Sequence, residues 1–189
     1  MVNAFCGEKC RKRTIKIGEE GMGHSVKFGG NPVNLLGKEV KVGDKGQDFT
    51  CVGQDLGNVK LSQFDGKVKI ISVFPSIDTP VCSLQAKRFN QEADKLGGKA
   101  VIIAVSNDLP FAQARYCGAE GIKNIVMASD HRDLDFSMKY GFVLEGLRLL
   151  ARGVVVLDAN NVVKYVEYVP EVTHEPDYDK ALQAVKALL

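Results

Sequence analysis

The chain lacks any apolar run long enough to cross a bilayer. Segments such as 101–105 fall far short of the roughly 20 residues that a spanning helix needs. It also lacks a dominant charge: 25 Lys and Arg stand against 23 Asp and Glu, a net charge of +2, and the basic residues are scattered among acids. That distribution excludes the basic stripe of a nucleic-acid binder. No apolar segment follows the basic residues near the N-terminus, so no secretory leader is expected. Histidine is scarce, with His24, His131 and His174 isolated from one another, and neither a metal cluster nor a catalytic triad is expected. The five cysteines (Cys6, Cys10, Cys51, Cys82 and Cys117) are odd in number and unevenly spaced, a poor disulfide framework. Thiols of this kind belong to a reducing, cytoplasmic setting, where they are buried, catalytic or metal-binding. There is no internal repeat and no low-complexity tract.

What is present suits one large domain of 189 residues with 45% hydrophobic content. Residues 1–25 read as an extension without sustained periodicity, and 26–189 as the folded domain. In the extension, Cys6 and Cys10 form a C-x3-C beside Lys9, Arg11, Lys12 and Arg13. Nearby positive charge suits reactive thiols, and the spacing suits half a zinc site, but no second ligand pair is evident. A solvated tail is the simpler reading. Met22 offers an alternative start. "GMGHSV" lacks the third glycine and the preceding strand of a dinucleotide loop.

From residue 25, "SVKFGGNPVNLLG" predicts a hairpin around Gly29–Pro32. Strands are expected at 67–74, 99–106 and 124–130. Helices are expected at 80–96, over 109–121 with a stop near Gly118 or Gly121, and at 133–141. "RGVVVLDANNVVKYVEYV" predicts two strands about an Asp-Ala-Asn-Asn turn. The last 15 residues form an amphipathic helix with Tyr178, Leu182, Val185 and Leu189 on one face. The alternation predicts a mixed sheet with helices on both faces. Cys51 sits in an alternating segment and is expected in the core.

One thiol stands apart. In "FPSIDTPVCSLQ", Thr79 is placed to cap a helix with its side-chain oxygen on a first-turn amide, and Pro80 falls at the first helical position. Cys82 then lies at the third position, near unsatisfied amides and the positive end of the helix dipole, which favour the nucleophilic thiolate. Cys82, Ala86, Phe89, Ala93 and Leu96 form one apolar stripe, so the cysteine is also well placed to be a small buried hydrophobe. The turn lies at the carboxyl end of a central strand, where open α/β sheets place their sites.

"PSIDTPVC" matches the signature Pro-x-x-x-Thr-x-x-Cys; "VKFGGNPV" and "VKLSQFDGK" precede it, and "DLPFAQARYCGAEG", "ARGVVVLD" and "EPDYDKAL" follow it, in the family's order. In these blocks, from about residue 26 onward, the chain resembles the thiol peroxidase branch of the peroxiredoxin family, the atypical two-cysteine type. The resemblance implies a thioredoxin-like α/β fold and reduction of hydrogen peroxide or organic hydroperoxides without a cofactor or metal. It implies that Cys82 is the peroxidatic cysteine, that Thr79 and the first-turn amides bond the peroxide or thiolate, and that Pro75 shields the sulfur. Arg152, rather than Arg148 or Arg88, would supply the cation. Cys117 would be the resolving cysteine, forming a Cys82–Cys117 disulfide that thioredoxin or a similar dithiol reduces. The reduced thiols are expected to lie too far apart to bond without local unwinding. A homodimer is implied, and Phe111 and Tyr116 are expected in the core or an interface.

Overall fold

The computed structural model describes residues 24–189; most of the expected extension, with Cys6, Cys10 and Met22, lies outside the described residues. In chain order the strands are β1 (Ser25–Phe28), β2 (Asn31–Leu36), β3 (Thr50–Val52), β4 (Asn58–Lys60), β5 (Val68–Val73), β6 (Ala100–Ser106), β7 (Val126–Ser129), β8 (Val143–Leu144), β9 (Gly153–Leu157) and β10 (Val163–Tyr168). The helices are α1 (Pro80–Lys95), α2 (Pro110–Glu120), α3 (Asp135–Tyr140) and α4 (Tyr178–Lys186).

A mixed sheet runs in the order β10-β9-β5-β6-β7-β3-β4. β5, β6 and β7 are parallel, while β9 is antiparallel to β5 and β3 is antiparallel to β7. Alternate residues of the central strands face opposite layers. Ile70, Ile102, Val154 and Val156 pack with Phe89 of α1, with Leu96 at its C-cap, and with Ala181, Leu182 and Val185 of α4. Ile71, Val73, Ile103, Val105, Val155 and Leu157 pack the other way, against Phe136 and Tyr140 of α3 and Leu35 of the hairpin. Both faces are covered, which is why these strands read as nearly continuous apolar runs. Burying Phe89, which is fully covered, stabilises the α1–sheet contact by about 1.5–3 kcal/mol.

The N-terminal hairpin β1–β2 does not extend the main sheet. It pairs with the two-residue β8 in a separate three-stranded sheet. Strands β3 and β4 are three residues each, too short for a sequence period to declare them. The stop of α2 falls at Gly121, whose φ of 66° is the left-handed C-cap conformation that glycine adopts at little cost; Gly118 stays inside the helix. The parallel pair β5 and β6 delivers the 74–79 and 107–109 loops side by side at one edge, the crevice where α/β sheets hold their ligands.

Candidate active site

Strand β5 ends in a buried turn through Phe74 and Pro75 and re-emerges as α1. Thr79 has the extended backbone of an N-cap, and Pro80 opens the helix. The side chain of Thr79, however, takes no first-turn amide, which corrects the expected capping bond. Its hydroxyl turns the other way, 2.7 Å from Cys82 Sγ and 3.2 Å from the Ser76 carbonyl. The reason is local: the sulfur one turn on competes for the hydroxyl. The first intrahelical bond runs from Ser83 N to Thr79 O at 3.0 Å, so the amides of Val81 and Cys82 keep the open donors of a helix start.

Cys82 is fully buried, although the flanking Thr79 and Pro80 are exposed. The sulfur thus lies under a rim whose edge is the Thr79 hydroxyl. It is not sealed in hydrocarbon. Arg152 Nη2 approaches to 3.2 Å, Nη1 donates to Gln85 Oε1 at 2.6 Å, and Nε donates to the Val172 carbonyl at 2.8 Å. A guanidinium that is only 2% exposed is tolerated because its fork is filled. Arg148 and Arg88 are both exposed, and Arg88 lies against Glu92 at 3.6 Å.

Arg152 precedes β9, and the next residue is a glycine for a steric reason. A Cβ at Gly153 would strike the Glu167 carbonyl and the Phe142 ring, so only glycine lets β9 lie this close to β10 and hold Arg152 in register. Gln85 was missed from the sequence. It is fully buried, and its Nε2 donates to Ser72 Oγ at 2.8 Å while its Oε1 holds Arg152. The available signal was a polar residue at a spacing of three from Cys82, on a face that is otherwise apolar.

Cys117 lies in α2 and is mostly buried. It shares one apolar cluster with Cys82, made of Phe74, Ile77, Ala86, Ala104, Ile122 and Met127, and both thiols are free. Burial pushes the Cys117 thiol up, against an opposing hydrogen bond with Gln54. The helices carrying the two cysteines are joined laterally. Tyr116 Oη donates to the Ser83 carbonyl at 3.1 Å and lies 2.7 Å from Ser83 Oγ. Lys87 pairs with Glu120 at 2.7 Å, and Asn90 Oδ1 accepts from the Lys123 and Asn124 amides. Phe111 is 66% exposed and so is not a core residue.

Cys51 is in the core as expected, 1% exposed, with its thiol pushed up by burial and by the Asp130 carboxylate 3.6 Å away. Among the described residues no three side chains of metal-binding type gather, and no helix is long and apolar enough to cross a membrane.

This geometry, a thiol at a helix start on a thioredoxin-like sheet, has clear counterparts. The Redoxin family profile matches residues 41–182. The thiol peroxidase of Halalkalibacterium halodurans is 54% identical over 165 residues, covering 87% of this chain and 99% of that protein. The thiol peroxidase of Bacillus subtilis is 53% identical over 164 residues, covering 87% and 98%. Among solved structures, a peroxiredoxin-like protein from Aquifex aeolicus superposes with a TM-score of 0.82 at 40% identity, covering 87% of this chain and 97% of that one. A thiol peroxidase from Chromobacterium violaceum, at 23% identity and a TM-score of 0.77, covers 86% and 95% and shares the fold. The class is therefore that of thioredoxin-like thiol enzymes. The chain belongs to the Redoxin family and, within its peroxiredoxins, to the thiol peroxidase branch, oxidoreductases acting on peroxides.

Proposed function

We propose that the protein reduces hydrogen peroxide and small organic hydroperoxides at Cys82, with Cys117 completing an intramolecular redox cycle. The Cys82 thiolate attacks one peroxide oxygen. The O–O bond breaks, the departing oxygen leaves as water or an alcohol after taking a proton, and the sulfur becomes a sulfenic acid. Thr79 Oγ1 and the open first-turn amides donate to the peroxide oxygens, and Arg152 offsets the negative charge as the bond stretches. Pro75, buried behind the loop, keeps bulk water from the sulfur.

The Cys117 thiol then attacks the sulfenic sulfur, expelling water and forming the Cys82–Cys117 disulfide. A dithiol of the thioredoxin type returns two electrons and restores both thiols. Disulfide formation needs the two Cα atoms within roughly 7 Å, and the lateral bonds between α1 and α2 must part for the helix ends to rearrange. Free thiols at Cys51, Cys82 and Cys117 suit a cytoplasmic, reducing setting. The exposed Phe111, with Leu109 beside it at 53% exposure, suits a homodimer contact near the start of α2.

The observation that carries this reading is the pair of polar contacts on a buried sulfur: Thr79 Oγ1 at 2.7 Å and Arg152 Nη2 at 3.2 Å. The test is peptide mapping after one equivalent of peroxide, combined with the rate of Cys82 oxidation. A Cys82–Cys117 bridge formed much faster than free cysteine reacts is the expected result. A slow reaction, or a bridge from Cys82 to Cys51, overturns it. Turnover that persists undiminished in Cys117→Ser would assign a one-cysteine cycle instead.

A further inference from the structure

The loop that carries Thr79 has a single carboxylate anchor, and it comes from the neighbouring strand. Asp108, just past the end of β6, accepts from Ser76 Oγ at 2.7 Å through Oδ1 and from the Ile77 amide at 2.7 Å through Oδ2. Oδ2 also accepts from Ser106 Oγ at 2.7 Å, and Ser106 Oγ in turn accepts from Gln113 Nε2 of α2 at 3.0 Å. The Ser76 hydroxyl, fixed in this way, also receives the Asp78 amide at 3.3 Å. The loop's contact with Arg115, through Asp78 at 3.4 Å, joins two largely exposed side chains and contributes little.

The geometry points to Asp108 as a positioning residue for peroxide reduction, acting on Cys82 through Ser76 and Thr79. The path is short. Asp108 holds Ser76, the Ser76 carbonyl lies 3.2 Å from Thr79 Oγ1, and that oxygen lies 2.7 Å from Cys82 Sγ. The Thr79 hydroxyl has one proton. Its two neighbouring acceptors are the Ser76 carbonyl and the sulfur, or a peroxide oxygen that arrives beside the sulfur. Where Ser76 sits therefore decides where that proton can aim. Asp108 also seats Ile77, whose side chain packs in the same cluster as Cys82. A carboxylate suits this work because three donors converge on it from fixed positions, and the Ile77 amide cannot rotate away.

This role rests on Cys82 being the peroxidatic residue, and its test separates the two claims. Two rates are compared: quenched-flow oxidation of Cys82 by hydrogen peroxide, and alkylation of Cys82 by a haloacetamide, which needs the sulfur but not the peroxide donors. In Asp108→Ala the peroxide rate falls about 10–100-fold, the scale expected for a reacting group displaced by about 1 Å, while alkylation changes by no more than about threefold. Asp108→Asn keeps an acceptor for the Ile77 amide and can donate to Ser76 Oγ, so it recovers most of the loss. In a Thr79→Val background, Asp108→Ala costs no more than about threefold further, because both changes act on one path. Ser76→Ala, which removes one arm of the anchor, gives a smaller loss of the same kind and carries the test should Asp108→Ala not fold. A peroxide rate within about threefold of the parent, an equal fall in both rates, or multiplicative losses with Thr79→Val overturns the role. A parent protein whose Cys82 reacts no faster than free cysteine overturns the function and this inference with it, whereas a fast parent that is indifferent to Asp108 overturns the inference alone.

Discussion

Gln85 accepts a 2.6 Å hydrogen bond from Arg152, the same guanidinium that lies 3.2 Å from the Cys82 sulfur. Both residues are buried, so neither group can fall back on water if the other is lost. Gln85→Leu leaves a buried Arg152 donor and the Ser72 hydroxyl short of partners, at a cost of about 1–3 kcal/mol of stability. It also frees the guanidinium to turn away from the sulfur, and the peroxide rate of Cys82 is expected to fall about 10–100-fold. Urea unfolding and rapid mixing measure the two effects separately. A rate that stays at the parent value despite lower stability would confine Gln85 to a structural role.

Arg152→Lys tests whether charge alone suffices. The arginine fork makes three directed contacts, to the Val172 carbonyl, Gln85 Oε1 and Cys82 Sγ. An ammonium is a compact point charge and cannot hold all three directions at once. The lysine variant should therefore lose most of what Arg152→Met loses, about 100-fold or more in peroxide rate if the guanidinium acts on developing charge. Comparable activity in Arg152→Lys and the parent would show that the geometry of the fork is immaterial.

The sequence disclosed α1 because its signals are local: a Thr-Pro start and an apolar stripe from Cys82 to Leu96. The central strands were legible for a similar reason, since burial on both faces leaves an uninterrupted apolar run. What periodicity could not reach were partners brought in by topology. Arg152 is 70 residues from Cys82 and looks like the other arginines that precede it, Arg148 and Arg88 among them; only the resemblance singled it out. Asp108 left a fainter trace, an acid two residues past the end of a buried parallel strand. Capping rules point the Thr79 side chain at a backbone amide because they weigh only the helix start, whereas the resemblance points it at the sulfur one turn away, which is where the hydroxyl lies. Strands of two or three residues carry no period at all.

Tyr116 should govern how quickly the oxidised sulfur is resolved. Its phenol, held as a hydroxyl by burial, ties α2 to Ser83, next to Cys82. In the proposed cycle, resolution through Cys117 is expected to need that tie to break. Tyr116→Phe removes a bond worth about 0.5–1.5 kcal/mol net, so the Cys82–Cys117 disulfide should form up to about tenfold faster. With excess peroxide, a smaller fraction of Cys82 should reach the sulfinic state, because the sulfenic acid is captured sooner. Intact-mass measurement across a peroxide series reads both species. An unchanged sulfinic fraction would mean that the helices part by a route that leaves Tyr116 in place.

Glu171 links the hairpin to the segment that holds Arg152. Its carboxylate accepts from the Gly30 amide at 2.9 Å, the Thr173 hydroxyl at 2.8 Å, the Thr173 amide at 3.1 Å and the Gly29 amide at 3.0 Å. These donors, the Gly30 amide foremost, hold the carboxyl at about 2, below its ordinary 4.5. The native state therefore binds this proton less readily than the unfolded chain does. The stabilisation is fully present above about 4.5 and is lost as the pH falls toward about 2. Glu171→Gln removes the titrating group, so its stability should decline less steeply across that acid window than the parent's, while remaining lower than the parent's near neutral pH. Urea midpoints at a series of acid pH values measure the slope. The consequence reaches the site because Lys27 of the hairpin bonds the backbone of Pro170 and Val172, and the Val172 carbonyl accepts from Arg152 Nε. A slope identical in parent and variant would show that the hairpin clasp does not titrate as a unit with the fold.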